Sequence, residues 1–274
     1  MSTKPTAENY LLGASDEELA RLGSQHQVWA LETQALVSSA GLLPGHTAID
    51  LGCGPGFVTR DLAHRVGTNG HVLAVDGSQR FINHLTEVKR VDRLSQVEPL
   101  QADVTEVEIT DASADLVFAR WLMCFLPDPR SLIKRAAGWL KPGGRLVIMD
   151  YLGYEAFALF PRSQAHQTVV KAVIASWQQT GGSLDVAGNI PQMVSEAGLM
   201  IESVRPIQRV ARPKDLTWRW VETFLTSYIP HLTKVGLLTD EEGEAFWQNW
   251  HAKAAMPGAI LWPPSMLGLI ATRP

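Results

Sequence analysis

The chain has 274 residues, 46% of them hydrophobic and 19% charged, with a formal net charge of −4 and two cysteines. This composition excludes a disordered chain and a disulfide framework, and the cysteines do not form the CxxC pair of a zinc site. No basic run supports a nucleic-acid partner, no apolar run reaches the ~18–20 residues of a membrane span, and the N-terminus lacks the features of a signal peptide. We therefore expect a cytoplasmic protein without a metal, nucleic-acid or membrane partner; its oligomeric state is left open.

The predicted elements begin with one or two helices at residues 16–40, and we assign residues 1–46 to N-terminal cap helices. From residue 47 onward, short apolar runs alternate with segments of helical period, which is typical of a sheet wound with helices on both faces. This second region, 47–274, is predicted to be the main domain. Its predicted strands are 47–51, 71–76, 97–103, 115–120 and 145–150, followed by 201–210 and 266–272.

Helix boundaries between these strands carry clear signals. Ser78 is a good N-cap, and Asp128 followed by Pro129 supplies a cap and a proline at the first helical position. The run Lys-Pro-Gly-Gly at 141–144 predicts a helix end and a turn. Residues 213–256 are mostly helical in pattern and rich in aromatic residues, and we predict that they form a lid inserted between two late strands.

The sequence Asp-Leu-Gly-Cys-Gly-Pro-Gly at 50–56 follows a predicted buried strand and precedes a predicted helix. Gly52 and Gly54 allow tight backbone geometry and close approach of a ligand. No Gly-Lys-Ser/Thr follows, which argues against a nucleoside triphosphate loop. Phe57 stands where the dinucleotide fingerprint G-x-G-x-x-G requires its third glycine. The loop alone is weak evidence for any one ligand.

Three carboxylates at the ends of successive predicted strands narrow the choice. Asp50 would repel a pyrophosphate but attract an ammonium group. Asp76 stands where an acidic side chain can accept both hydrogen bonds of a ribose diol, and Asp103 can accept from the amine of adenine. Any one of them alone would more often be a turn aspartate than a ligand-binding residue. Together they match a ligand that contains an amino acid, a ribose and adenine.

At these residues the chain resembles the class I S-adenosylmethionine-dependent methyltransferases. The resemblance covers about residues 10–151: the loop at 50–56, the acidic Asp76, the segments 102–104 and 115–125, and the turn at 140–145. It implies an α/β, doubly wound, seven-stranded and mostly parallel sheet whose last strand is antiparallel. The leader around Tyr10 resembles that of a bacterial subgroup in which N-terminal helices close over the cofactor. S-adenosylmethionine is the cofactor that the resemblance implies, and the predicted cofactor-binding residues are Tyr10, Gln25, Trp29, Asp50, Gly52, Cys53, Gly54, Asp76, Gly77, Ser78, Asp103, Val104, Arg120 and Trp121.

Methyl transfer from a sulfonium mainly requires that the nucleophile be held near the methyl group in a dry site, and a general base is optional. The segments after the fourth and fifth strands and the lid should line the acceptor pocket. The predicted substrate-binding residues are Tyr151, Tyr154, Trp218, Tyr228, His231 and Trp250. His166 is the candidate base, with a packing histidine as the alternative, and the tryptophans suit an aromatic or cationic acceptor unless they only pack the lid.

The predicted function is methylation of an oxygen or nitrogen atom on a small molecule, such as an aromatic, natural-product-like compound. One alternative keeps the cofactor but not the methyl transfer, as in a cyclase. Another is an NAD-dependent oxidoreductase, which Asp50 and Phe57 argue against. RNA methylation is disfavoured by the acidic balance of charge.

Overall fold

The computed structural model describes residues 15–274 of the chain. Within these residues the strands are β1 (Thr47–Leu51), β2 (His71–Asp76), β3 (Val97–Gln101), β4 (Ala114–Arg120), β5 (Leu140–Tyr151), β6 (Ala158–Phe160), β7 (Met200–Ile207), β8 (Ile260–Trp262) and β9 (Met266–Thr272). The α-helices are α1 (Asp16–Ser39), α2 (Phe57–Val66), α3 (Gln79–Val91), α4 (Pro129–Trp139), α5 (Gln164–Gln179), α6 (Ile190–Glu196), α7 (Leu216–Lys234) and α8 (Asp240–Ala254). None of these helices is long and apolar enough to cross a bilayer.

Seven of the strands form one sheet in the order β3-β2-β1-β4-β5-β9-β7. The first five of these pair in parallel, whereas β9 is antiparallel to both β5 and β7. The predicted sheet and its antiparallel last strand are confirmed. Since the strands are parallel, the carboxyl ends of β1 to β5 lie along a single edge, where ligands of doubly wound sheets bind.

Local signals explain where the helices begin. The hydroxyl of Ser15 accepts a hydrogen bond from the backbone N–H of Glu18. Three acidic residues in the first turn of α1 also stabilise the helix, because their negative charges lie at the positive end of its dipole. The predicted caps are confirmed, because Ser78 caps α3 and Asp128 caps α4 ahead of Pro129. The segment predicted as one or two cap helices is the single helix α1.

Two further pieces of structure accompany the main sheet. The helices α7 and α8 occupy the predicted insertion between β7 and the last strand, and α1 packs against α7. A separate two-stranded sheet joins β6 to β8 and was not predicted.

Some predicted boundaries were wrong. Strand β3 ends at Gln101 rather than at residue 103, because the carboxylate of Asp103 accepts from the N–H and hydroxyl of Thr105 and so starts a turn. Strand β5 begins at Leu140, which already pairs with Ala114 ahead of a bulge, so the glycine turn lies inside the strand. The predicted strand 201–210 runs from residue 200 to 207.

Candidate active site

A cavity of about 600 Å³ lies at the carboxyl ends of the parallel strands, within the size range of small-molecule pockets. The strand-end loops form its floor, and residues of α1 and α7 line it as well. Of the predicted site residues, the cavity is lined by Gln25, Asp50, Gly52, Cys53, Gly54, Asp76, Gly77, Ser78, Asp103, Val104, Arg120, Trp121, Tyr151 and Tyr154. Tyr10 lies outside the described residues.

The glycine loop between β1 and α2 is built on left-handed backbone. Gly52, Gly54 and Gly56 have φ values of 64°, 54° and 89°, which only glycine adopts without strain. A side chain at Gly56 would also place its Cβ 2.3 Å from Cδ1 of Leu85, whereas a Cβ at Gly54 would meet nothing within 4 Å. The loop therefore packs tightly against α3 at Gly56 and leaves open space beside Gly54.

Asp50, at the end of β1, is almost fully buried, with 2% of its surface exposed. Its Oδ2 accepts a hydrogen bond of 2.6 Å from the hydroxyl of Thr59 on α2. Burial raises the pKa of Asp50 from 3.8 to about 7, against the lowering effects of the Thr59 hydrogen bond and the Arg120 charge. The site thus contains a carboxylate whose negative charge is poorly balanced by its surroundings.

Asp76 ends β2 and ties the glycine loop to the start of α3. Its Oδ2 accepts from the N–H of Gly54 and its Oδ1 from the N–H of Ser78, both at 2.8 Å. Burial raises the pKa of Asp76, and these two hydrogen bonds act in the opposite direction. Each carboxylate oxygen has a second lone pair, so both can accept one further hydrogen bond from a ligand.

Arg120, at the end of β4, contacts two residues of helix α1. Its Nη1 donates to the hydroxyl of Thr33 at 2.8 Å, and its Nη2 lies 3.4 Å from Nδ1 of His26. Its guanidinium lies 4.9 Å from the ring centroid of Trp121. Burial lowers the pKa of Arg120 to about 10, and the negative charges of Asp50 and Asp61 oppose this effect. Arg120 therefore supplies positive charge near Asp50 and connects β4 to α1.

Aromatic side chains line the other half of the cavity, beyond β4 and β5. Trp121 lies between Tyr151 and Trp220, with ring centroids 6.1 and 6.4 Å away. Tyr151 meets Tyr154 edge to face at 5.4 Å. Phe125, Phe157, Trp177 and Phe224 also line this half.

Residues from α1 and α7 meet across the cavity. Gln25 accepts from Nη1 of Arg21 at 2.9 Å and from Nε1 of Trp220 at 3.0 Å. Arg21 is in turn bound by both carboxylate oxygens of Glu18, at 2.6 and 2.7 Å. This buried chain of hydrogen bonds joins the N-terminal helix to the insertion.

Comparison with known proteins agrees with this geometry, since residues 49–148 match the family described as a methyltransferase domain. This stretch of the chain, residues 49–148, is therefore similar to a methyltransferase domain. The chain has the class I fold: the geranyl diphosphate C-methyltransferase of Streptomyces coelicolor A3(2), solved with Mg²⁺, geranyl diphosphate and S-adenosyl-L-homocysteine, superposes with a TM-score of 0.59. That similarity covers 95% of this chain and 84% of the other at 17% identity, so it concerns the fold.

Two curated relatives match this chain over stretches of 110 and 126 residues. The phosphoethanolamine N-methyltransferase 1 of Triticum aestivum is 38% identical over 110 residues, which are 39% of this chain and 21% of that protein. The demethylmenaquinone methyltransferase of Bacillus cytotoxicus is 29% identical over 126 residues, 46% of this chain and 52% of that protein. The matched stretches span about half or less of the length of these relatives.

Several predicted residues do not line the cavity. Trp29 is fully buried behind it, packed edge to face on Trp121 and Trp220. The rings of Trp218 on α7 and Trp250 on α8 are both buried and lie 4.7 Å apart, tilted by 44°. Each is on a buried helix face that packs on protein instead of facing the cavity.

Tyr228 and His231 also lie away from the cavity lining. The Tyr228 hydroxyl is 2.8 Å from that of Ser176 on α5, and its ring stacks on His231 at 5.2 Å. Tyr228 lies one turn after Phe224 and stacks on its ring at 5.0 Å, so it packs against the cavity wall without lining the cavity.

His166, the candidate base, is buried on α5 and does not line the cavity. Its ring lies 4.5 Å from that of Phe157 and 6.1 Å from that of Phe246. Burial lowers the pKa of His166 to about 4. A neutral histidine enclosed by rings fits the packing alternative.

The cavity contains residues that the sequence did not single out, above all Arg21, Phe125, Trp177, Trp220 and Phe224. Trp220 and Phe224 are four residues apart on α7, so they share a helix face that differs from that of Trp218. The four-residue spacing of Trp220 and Phe224 in the sequence could have predicted this shared face. Among residues 15–274 there is no group of three or more His, Cys, Asp or Glu side chains that could hold a metal ion.

Proposed function

We propose that this protein is an S-adenosylmethionine-dependent methyltransferase that acts on a small-molecule acceptor. One observation carries the proposal: Asp50, Asp76 and Asp103 line the same cavity, from the ends of β1 and β2 and from the turn after β3, and these three strands are neighbours in the sheet. Adjacent strands are about 4.8 Å apart, so the carboxylates follow one another along the edge. That order suits a ligand whose ammonium, ribose and adenine follow one another, at Asp50, Asp76 and Asp103 respectively.

The fit of an amino-acid ammonium is supported by the state of Asp50. A buried carboxylate with a pKa of about 7 lacks a full counter-charge, and an ammonium would provide it. A phosphate placed there would meet a like charge instead. This favours an amino-acid ligand over a dinucleotide.

Asp76 and Asp103 would hold the nucleoside part. The free lone pairs of Asp76 would accept from the ribose hydroxyls, while Gly54 and Ser78 keep the carboxylate in place. The Oδ1 of Asp103 is used by Thr105, which leaves Oδ2 for the adenine amine, with Val104 beside it.

When bound, S-adenosylmethionine supplies a methyl group already activated on a sulfonium. The protein's part is to align the acceptor with that methyl group and to exclude water. The aromatic half of the cavity, next to the strand end that carries Arg120 and Trp121, suits both tasks. No side-chain base is required of residues 15–274 for an acceptor that is nucleophilic at neutral pH.

The test combines binding with turnover. Titration calorimetry should show binding of S-adenosylmethionine and S-adenosylhomocysteine, with NAD and ATP at least tenfold weaker. Incubation with S-adenosylmethionine and a metabolite extract should release S-adenosylhomocysteine, measured by mass spectrometry against an Asp76→Ala control. Tighter binding of NAD than of either nucleoside contradicts the proposal, and cofactor binding without any release favours the cyclase-type alternative.

A further inference from the structure

Two phenol groups are the notable polar groups of the aromatic half of the cavity. We infer that the methyl acceptor is an uncharged aromatic compound whose oxygen atom binds to the hydroxyls of Tyr151 and Tyr154. The inference rests on the proposed methyl transfer and specifies its substrate class.

Both tyrosines line the cavity, and among the described residues neither phenol oxygen has a hydrogen-bond partner. Neither oxygen is sealed off from the cavity either. The phenol of Tyr228 differs, since it is 2.8 Å from the hydroxyl of Ser176. Buried polar groups nearly always have hydrogen-bond partners. Two neighbouring phenol hydroxyls without a partner in the protein therefore indicate a ligand that forms hydrogen bonds with them.

The phenols act as neutral donors. Burial is the main cause that raises the pKa of Tyr151 and of Tyr154, so both remain protonated at neutral pH. A protonated phenol donates to a hydroxyl or carbonyl oxygen and is a poor general base. The pair is therefore suited to bind and orient the acceptor.

The charges in the cavity argue against an anionic acceptor. Among the lining residues that the structure describes, the only basic side chains are Arg21 and Arg120. Both carboxylate oxygens of Glu18 bind Arg21, and Arg120 lies at the base of the site, bonded to Thr33. The guanidinium of Arg21 lies 5.9 Å from the ring of Phe224, but Glu18 already balances its charge. A phosphate or carboxylate in the aromatic half would therefore be desolvated without a counter-charge of its own, which is strongly unfavourable.

The walls suit a flat ring. Trp121 and Trp220 are within 26° of parallel, and Phe125 and Trp177 form a second aromatic pair at 5.5 Å. Aromatic side chains bind planar ligands by offset stacking or edge contacts. An uncharged ring with one oxygen substituent fits both the walls and the phenols.

The experiment uses three matched probes on protein saturated with S-adenosylhomocysteine: naphthalene, 2-naphthol and 2-naphthyl phosphate. Calorimetry should show 2-naphthol binding about five- to tenfold more tightly than naphthalene, as expected for one or two net hydrogen bonds. The phosphate should bind more than a hundredfold more weakly than 2-naphthol. In the Tyr151→Phe/Tyr154→Phe variant, the preference for 2-naphthol over naphthalene should vanish while naphthalene binds as before.

Tyr228→Phe is the matched control, because it removes a phenol that does not line the cavity, and it should keep the full preference. If the double variant does not fold, each single variant should still lose part of that preference. The inference is overturned if 2-naphthol does not bind, if the phosphate binds as tightly, or if the folded double variant keeps the preference. Failure of the proposed function is distinct, because S-adenosylhomocysteine would then not bind before any probe is added.

Discussion

Replacing Asp50 with asparagine removes a buried negative charge and keeps an oxygen that can accept from Thr59. The folded protein raises the pKa of Asp50 from 3.8 to about 7, so it binds this proton more tightly than the unfolded chain does. The free energy of unfolding therefore falls as the pH rises from about 4 through the folded-state pKa of about 7. Between pH 5.5 and 7.5, the linkage relation gives a loss of about 2 kcal/mol from this one group.

The assay is urea unfolding of the wild-type protein and of Asp50→Asn at both pH values, without ligand. The other buried carboxyls, such as Asp150, whose pKa burial raises to about 6, titrate in both proteins and largely cancel. We expect the wild type to lose about 2 kcal/mol more than the variant on going to pH 7.5. Equal pH dependence in the two proteins would refute the account of Asp50 as a poorly balanced buried charge.

Three further predictions concern the cofactor wall, the glycine loop and the insertion. Asp76→Ala should weaken S-adenosylhomocysteine binding at least tenfold in calorimetry, since charge-assisted hydrogen bonds are each worth ~1.5–3 kcal/mol; unchanged affinity would place the ribose elsewhere. Gly56→Ala should destabilise the fold by at least ~1 kcal/mol in urea unfolding, because its backbone is left-handed and its Cβ would overlap Leu85; an unchanged midpoint contradicts this. Trp220→Ala should impair acceptor kinetics, whereas Trp218→Ala should mainly lower thermal stability; the reverse pattern would show that the wrong face of α7 was assigned to the cavity.

The side of the cavity that carries the carboxylates could be predicted because local sequence determines it. A buried strand, a glycine turn and an acidic residue at the next strand end are close in sequence, and the parallel sheet brings them together. Asp103 was placed in the cavity correctly although its strand ends at Gln101, because the turn that follows still faces the same edge.

The acceptor side could be predicted only in part, because it depends on which face of a helix meets the ligand. Helix α7 is apolar on more than one face, and composition alone does not tell Trp218 from Trp220. Their roles depend on α8, which packs on Trp218, and on Gln25 of α1, which accepts from Trp220. These partners are distant in sequence.

The two halves of the cavity come largely from separate stretches of the chain. The carboxylates and the glycine loop lie before residue 104. In the aromatic half, Trp121 and Phe125 lie within the stretch that matches the methyltransferase family, whereas Tyr151, Tyr154 and Trp220 lie after it ends at residue 148. Substitutions in the later stretch can therefore accumulate without touching the carboxylates. A chimera joined near the end of β5 would keep the carboxylates and the glycine loop and would exchange Tyr151, Tyr154 and Trp220. Such chimeras are the direct way to change the proposed acceptor.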